Sequence, residues 1–223
     1  MFPIRDHNPS SKLPVITLLL IGMNAVAFFI ELRSPNLDAF LQQYALVPAL
    51  VDFSHPATLW PFLTSMFLHG GWLHILSNMW FLWIFGDNVE ATLGHFKYLA
   101  FYIICGLAAA ILQFTVTPGS EIPMLGASGA IAGVLGGYLV LFPQSQIETL
   151  VTSFGGYLRT INVPASFMLL YWFGTQLFAG VGSIAVGMHE SGGVAFFAHI
   201  GGFAAGWIIM KVVSPQVTWR RIE

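Results

Sequence analysis

Charge is what this chain lacks most. Asp, Glu, Lys and Arg make up 8% of its 223 residues, where a soluble domain carries about a quarter. A water-solvated globule is therefore excluded, and lipid is the main solvent. The formal charge of -2 and the lack of any basic cluster give no footprint for nucleic-acid binding. Cys105 stands alone, so no intrachain disulfide can form. No His-Glu-x-x-His segment occurs, and His69 and His74, five apart, would fall on different faces of a helix, which speaks against a shared metal. Internal repeats and low-complexity tails are missing as well.

What is plentiful is apolar: 56% of residues are hydrophobic and the mean hydropathy is +0.75. Crossing a hydrocarbon core of about 30 Å takes about 20 helical residues, and six runs approach or reach that length: Leu13–Leu32, Leu68–Phe85, Phe96–Val116, Leu125–Phe142, Val163–Val181 and Val194–Val213. None has Asp, Glu or Arg in its interior, so an aspartyl hydrolase with two embedded carboxylates is excluded. The expected fold class is an all-α membrane protein, one six-helix domain over residues 1–223. With the N-terminus cytoplasmic, Arg5, Lys12, Lys97, Arg159, Lys211, Arg220 and Arg221 lie inside and only Arg33 outside. That asymmetry sets the orientation, and an even span count returns the C-terminus to the cytoplasm. The first run continues through Phe28, Phe29 and Ile30, past the small residues where a leader would be cut, and reads as a span.

Two outer loops stand out. Between Arg33 and Pro61, Leu37, Phe40, Leu41 and Tyr44 recur at helical spacing, which predicts an amphipathic element in the interface. Gly182 to Gly193, glycine-rich and carrying His189 and Glu190, is a candidate lid.

The same orientation brings polar residues to one depth. Ser128 lies about 5 Å along its helix from Leu125, and His199 about 7 Å from Val194. His74 and Asn78, spaced i,i+4 in the second span, face one way. Ser128 sits between glycines at a helix start, where backbone N–H groups lack intrahelical partners and the dipole is positive. Gly129, Gly133 and Gly137, and Gly202 and Gly206 after His199, have the small-xxx-small spacing of closely packed membrane helices. Contact through those faces would let His199 reach the Ser128 hydroxyl. A serine needs a base, and neutral histidine is the usual one near pH 7. A tetrahedral oxyanion would find donors in the N–H groups of Ala127 and Ser128, the Asn78 amide and His74. No carboxylate is available to orient the imidazole, which leaves a dyad whose ring is held by packing or a backbone carbonyl.

Gly126-Ala127-Ser128-Gly129, Ala198-His199-Ile200-Gly201-Gly202 and His69-Gly70-Gly71-Trp72-Leu73-His74-Ile75-Leu76-Ser77-Asn78 together resemble the rhomboid intramembrane serine proteases. Gly86-Asp87-Asn88-Val89-Glu90 with Gly94 resembles that family's turn after the second span. The resemblance implies a six-helix rhomboid-like core, a Ser128–His199 dyad and an oxyanion hole involving Asn78 and His74. It also implies cleavage of single-span membrane proteins near the outer face, with no cofactor. Substrate would enter past the fifth helix and the lid, where Phe167, Trp172 and Phe173 form a candidate gate. Two positions depart from the family pattern: Trp60 is followed by Pro61 where arginine is common, and Ala132 stands where some members stack an aromatic ring on the histidine.

The reading is a multi-pass serine endopeptidase of a bacterial cell membrane, acting on single-span proteins among lipid, its oligomeric state open. A catalytically inactive binding or quality-control relative would have lost the serine or the histidine. A small transporter would spread its polar residues along a through-path.

Overall fold

The apolar runs form helices in the computed structural model, which describes residues 1–8, 12–152, 156–185 and 195–214. They are α1 (Val15–Leu32), α4 (Trp72–Leu93), α5 (His95–Val116), α6 (Ser128–Leu141), α7 (Ala165–Ala185) and α8 (Phe196–Val213), with the short α2 (Leu37–Tyr44) and α3 (Pro61–Thr64) between α1 and α4. Helices α1, α5 and α8 are each long and apolar enough to cross a membrane, and α6 is a shorter apolar helix. The loop expected to act as a lid lies mostly outside the described residues, as do Arg220 and Arg221.

The all-α expectation needs correcting, because three strands form an antiparallel sheet in the order β1 (Phe2–Asp6), β2 (Gln146–Thr152), β3 (Leu158–Pro164). Ile147 faces Val163 and Leu150 pairs with both Phe2 and Thr160. The expected fifth span starts at Val163, but Val163 and Pro164 end β3: a β-branched residue suits the strand, Pro164 disfavours the helical conformation in the residue before it, and α7 starts at Ala165. β1 pairs with β2 from the other half of the chain, which local alternation cannot show.

The sheet is tied to the far end of the bundle through Asp6. The Asn88 amide and the Tyr138 hydroxyl both donate to Asp6 Oδ2, at 2.8 and 2.7 Å. Burial raises the Asp6 carboxyl above its usual range, against the lowering effect of the Tyr138 bond. Asn88 belongs to the segment expected to be a turn. Instead α4 runs on to Leu93, and Gly94 makes the turn alone at φ 78°.

A carboxylate fastens each end of α1. Its first N–H groups follow Pro14 without a side-chain cap, and Glu90 of α4 accepts from Ile16 N and Thr17 N at 2.8 Å and from Thr17 Oγ1 at 2.7 Å. At the other end Glu31 accepts from the His69 N–H at 2.9 Å. These bonds run α1 antiparallel to α4 and hold the His69-Gly70-Gly71 approach to the site. In the outer connection, Asn36 caps α2 by accepting from Ala39 N at 3.0 Å. This short helix occupies the stretch expected to be amphipathic.

Bare glycine faces bring α6 and α8 together. A Cβ on Gly202 would collide with the Gly129 carbonyl oxygen, one on Gly206 with that of Gly133, and one on Gly136 with that of Phe203. Gly137 meets α8 through the Met210 side chain and α5 through Phe101, and Gly136, which spacing did not single out, adds a further backbone contact to the α6–α8 seam. Gly202→Ala should therefore lower stability by about 1–3 kcal/mol, because neither backbone can yield. Gly22→Ala, with nothing within 4 Å of its added Cβ, should leave stability unchanged or raise it by up to about 1 kcal/mol. Thermal unfolding in detergent, followed by circular dichroism, compares the two.

Candidate active site

Helix α6 begins at Ser128, three residues after the predicted start. Residues before it are held extended by a bridge between Leu46 and Met124 and by the Gly126 N–H donating to the Ser65 carbonyl at 2.9 Å. Gly126 has φ 127°, open to glycine but strained for other residues. The first intrahelical bond is Ile131 N–H to Ala127 O, at 3.0 Å. The N–H groups of Ser128, Gly129 and Ala130 thus lack intrahelical acceptors and surround the serine with donors.

Because the glycine seam lets α6 and α8 touch, the Ser128 and His199 side chains meet. The Ser128 Oγ lies 2.8 Å from His199 Nε2, and His199 is 8% exposed. The start of α8 is itself held by Gln113 of α5, whose side-chain oxygen accepts from Ala198 N at 3.2 Å. A Cβ at position 126 would lie 2.8 Å from His74 Nε2 and 3.5 Å from Ser128 Oγ. His74 and Ser128 therefore border the same small space, kept open by the glycine. Asn78 is buried, and its amide nitrogen has no acceptor among the described residues. A buried donor without a partner is costly unless something else fills the role. All four polar residues expected at one depth, with Ala127, stand at the end of the bundle where α4, α6 and α8 begin.

The support for His199 comes from Gln176, which the sequence reading did not single out, and from Trp172, which resemblance had put at the gate. Its Nδ1 lies 2.8 Å from Gln176 Oε1, and the Trp172 ring packs beside the imidazole at 5.6 Å between centroids, tilted 37°. Of the two supports expected, packing is supplied by the Trp172 indole, and a side-chain amide stands where a backbone carbonyl was the alternative, both from α7. Gln113 and Gln176 were findable: each is a polar side chain inside an apolar run, which is costly without a partner. Their signal was outweighed by the histidines.

The gate residues separate. Trp172 faces inward against His199 and Phe203, and Phe173 stacks on Phe203 at 4.5 Å. Phe167 is 57% exposed and stacks on Tyr171, but it precedes Gln176 by nine residues, about 13 Å along α7. These contacts make Trp172 and Phe173 packing partners of the site and put Phe167 below its level.

His69 and His74 also differ from expectation. Their rings stand edge to face with centroids 5.0 Å apart, because His69 precedes α4 and helical facing does not apply to it. Among the described residues no group of three His, Cys, Asp or Glu comes together to hold a metal. A Ser, His and Asp trio is exposed elsewhere, at Asp52, Ser54 and His55. There Ser54 Oγ and Asp52 Oδ2 both approach the same His55 nitrogen, Nδ1, at 3.0 and 2.7 Å. A base that must bond the serine and the acid through opposite nitrogens cannot work in that arrangement.

A serine and a histidine joined across two helices of a multi-pass membrane protein, with a second histidine bordering the same space, define a class: an integral membrane protein with a serine–histidine site. A family-wide profile described as the Rhomboid domain matches residues 56–216, and the chain belongs to that family. It is 28% identical to Rhomboid protein 1, mitochondrial, of Saccharomyces cerevisiae over 88% of this chain and 54% of that protein. It is 27% identical to Rhomboid-like protein 11, chloroplastic, of Arabidopsis thaliana over 81% of this chain and 62% of that protein. It is 28% identical to Rhomboid protease GluP of Bacillus subtilis over 87% of this chain and 34% of that protein. The chain thus spans a third to three-fifths of the length of these relatives. They come from a mitochondrion, a plastid and a bacterium, so similarity singles out no compartment.

Gly126→Ala should be poorly tolerated for two reasons, the positive φ and the displacement of His74. We expect a lower unfolding midpoint together with slower reaction of Ser128 with a fluorophosphonate, by more than Gly22→Ala, which touches neither. Equal labelling rates in the two variants would show that the space beside Ser128 is not shaped by this glycine.

Proposed function

We propose that the protein is an intramembrane serine endopeptidase that hydrolyses single-span membrane proteins near one face of the bilayer. The observation that carries this reading is the 2.8 Å contact of His199 Nε2 with a serine hydroxyl at a helix start. On this reading α1, α4, α5, α6, α7 and α8 all cross the membrane. Both chain ends and the sheet then lie on the cytoplasmic side, in keeping with the distribution of Lys and Arg, and the site opens to the opposite face. α6 has 14 residues, about 21 Å of helix. Its start therefore lies below the surface, where exposed N–H groups are tolerable only beside a wet cavity.

The Ser128 oxygen attacks the scissile carbonyl carbon while its proton passes to His199 Nε2. The carbonyl oxygen, now carrying the negative charge, takes hydrogen bonds from the helix-start N–H groups and the Asn78 amide, with His74 bordering the same space. The C–N bond breaks as His199 protonates the leaving amine, and an acyl ester remains on Ser128. Water, deprotonated by His199, then adds to the ester, and release of the acid returns the proton to Ser128 Oγ. The intact pair counts against an inactive relative, and the gathering of polar groups at one end of the bundle counts against a transport path.

Ser128→Ala and His199→Ala, each reconstituted in liposomes with a single-span substrate, should lose cleavage to background. Full turnover in either one rejects the mechanism. Asn78→Ala should lower kcat by about 100- to 1,000-fold with little change in KM, the size of effect expected for one oxyanion donor.

A further inference from the structure

His199 can serve as a base only if its Nε2 carries no proton, and the structure contains a device that decides this. The Thr175 hydroxyl donates its single proton to the Trp172 carbonyl at 2.6 Å, so towards Gln176 it can only accept. The Gln176 Nε2 amide donates to Thr175 Oγ1 at 3.2 Å. That bond points the Gln176 oxygen, which cannot donate, at His199 Nδ1, 2.8 Å away. Nδ1 must then hold the imidazole proton, and Nε2 presents its lone pair to the Ser128 hydroxyl. A backbone carbonyl of α7, which is always an acceptor, thus sets the direction of four successive hydrogen bonds ending at the serine.

From this geometry we infer that Thr175 and Gln176 are positioning residues that fix the tautomer and ring orientation of His199, taking by neutral groups the part a carboxylate plays in soluble serine hydrolases. The inference rests on the protease reading and deepens it. With the amide turned over, its NH2 would face Nδ1, the proton would move to Nε2, and the serine would have no acceptor. Neutrality suits the location. A carboxylate would have to be desolvated beside the bundle's apolar surface, whereas an amide brings an oriented dipole without a charge to bury. When the imidazolium forms, the Gln176 oxygen still accepts from Nδ1–H, so no bond in the chain is broken during proton transfer.

The test uses the full-length protein in liposomes, reading kcat and KM on a single-span substrate and the rate of fluorophosphonate labelling. Gln176→Leu should lower kcat about 10- to 100-fold, the cost of leaving a buried N–H unpaired, and slow labelling in parallel. KM should stay within about threefold, since no substrate contact is removed. Thr175→Val, nearly isosteric, should lower kcat by about 3- to 10-fold, and Thr175→Ser, which keeps the hydroxyl, should restore it. Gln176→Glu should outperform Gln176→Leu and move the acid limb of the pH profile to higher pH, because a carboxylate stabilises the imidazolium. The neighbouring histidines, His74 and His69, are unchanged in every variant. Wild-type kcat and labelling in both Gln176→Leu and Thr175→Val would overturn the inference, as would a Thr175→Ser no better than Thr175→Val. If Gln176→Leu does not fold, the Thr175 pair decides alone. Cleavage surviving in Ser128→Ala would instead remove the protease reading itself, a different result from any of these.

Discussion

Everything at the site depends on two backbones touching without side chains between them. Gly129, Gly133 and Gly136 on α6 meet Gly202 and Gly206 on α8 and the backbone of Phe203. Only at that separation can a one-carbon side chain on one helix reach the imidazole of the other. A single methyl group at the seam would push the helices apart by more than a hydrogen bond tolerates. The contact also explains why the core is built as it is. Gly133 is covered by Cys105 and Gly201 by Leu112 of α5, so a third helix locks the pair from behind, while Gln113 of the same helix secures the start of α8.

The second organising fact is that, among the described residues, charge is kept to the ends of the helices and the site is left neutral. Glu31 and Glu90 fasten α1, and Asp6 ties the sheet to α4 and α6. Each of these carboxylates accepts hydrogen bonds, which is the condition for burying one. At the site itself the groups are a hydroxyl, imidazoles, amides and backbone N–H. In a low-dielectric setting such dipoles act strongly on a charge that develops only during reaction, and they cost little while it is absent.

Sequence reading located the helices well because apolar runs and breaks are a direct record of lipid and interface. It also pointed to Ser128, His199, His74 and Asn78, because polar groups at one depth in an apolar chain are expensive and few, and the first three meet in the fold. Three features escaped it for physical reasons. The sheet joins Phe2–Asp6 to strands more than 130 residues away, and pairing between distant short segments leaves no local period. Gln176 and Thr175 act through other side chains, and their value depends on rotamers rather than spacing. Resemblance to the family puts Trp172 at a gate, and no spacing in the sequence shows that its ring turns inward against His199 and Phe203. The departure at Ala132 pointed to this: where α6 offers no ring to the histidine, another helix must.

The central claim is that one serine among many is made nucleophilic by a histidine from another helix. It is tested most directly by mass spectrometry of the protein after reaction with a fluorophosphonate, with peptide mapping of the adduct. The account predicts a single phosphonyl group on Ser128, absent from the His199→Ala variant. An adduct on another serine, or none at a reagent concentration that saturates a soluble serine hydrolase, would contradict it.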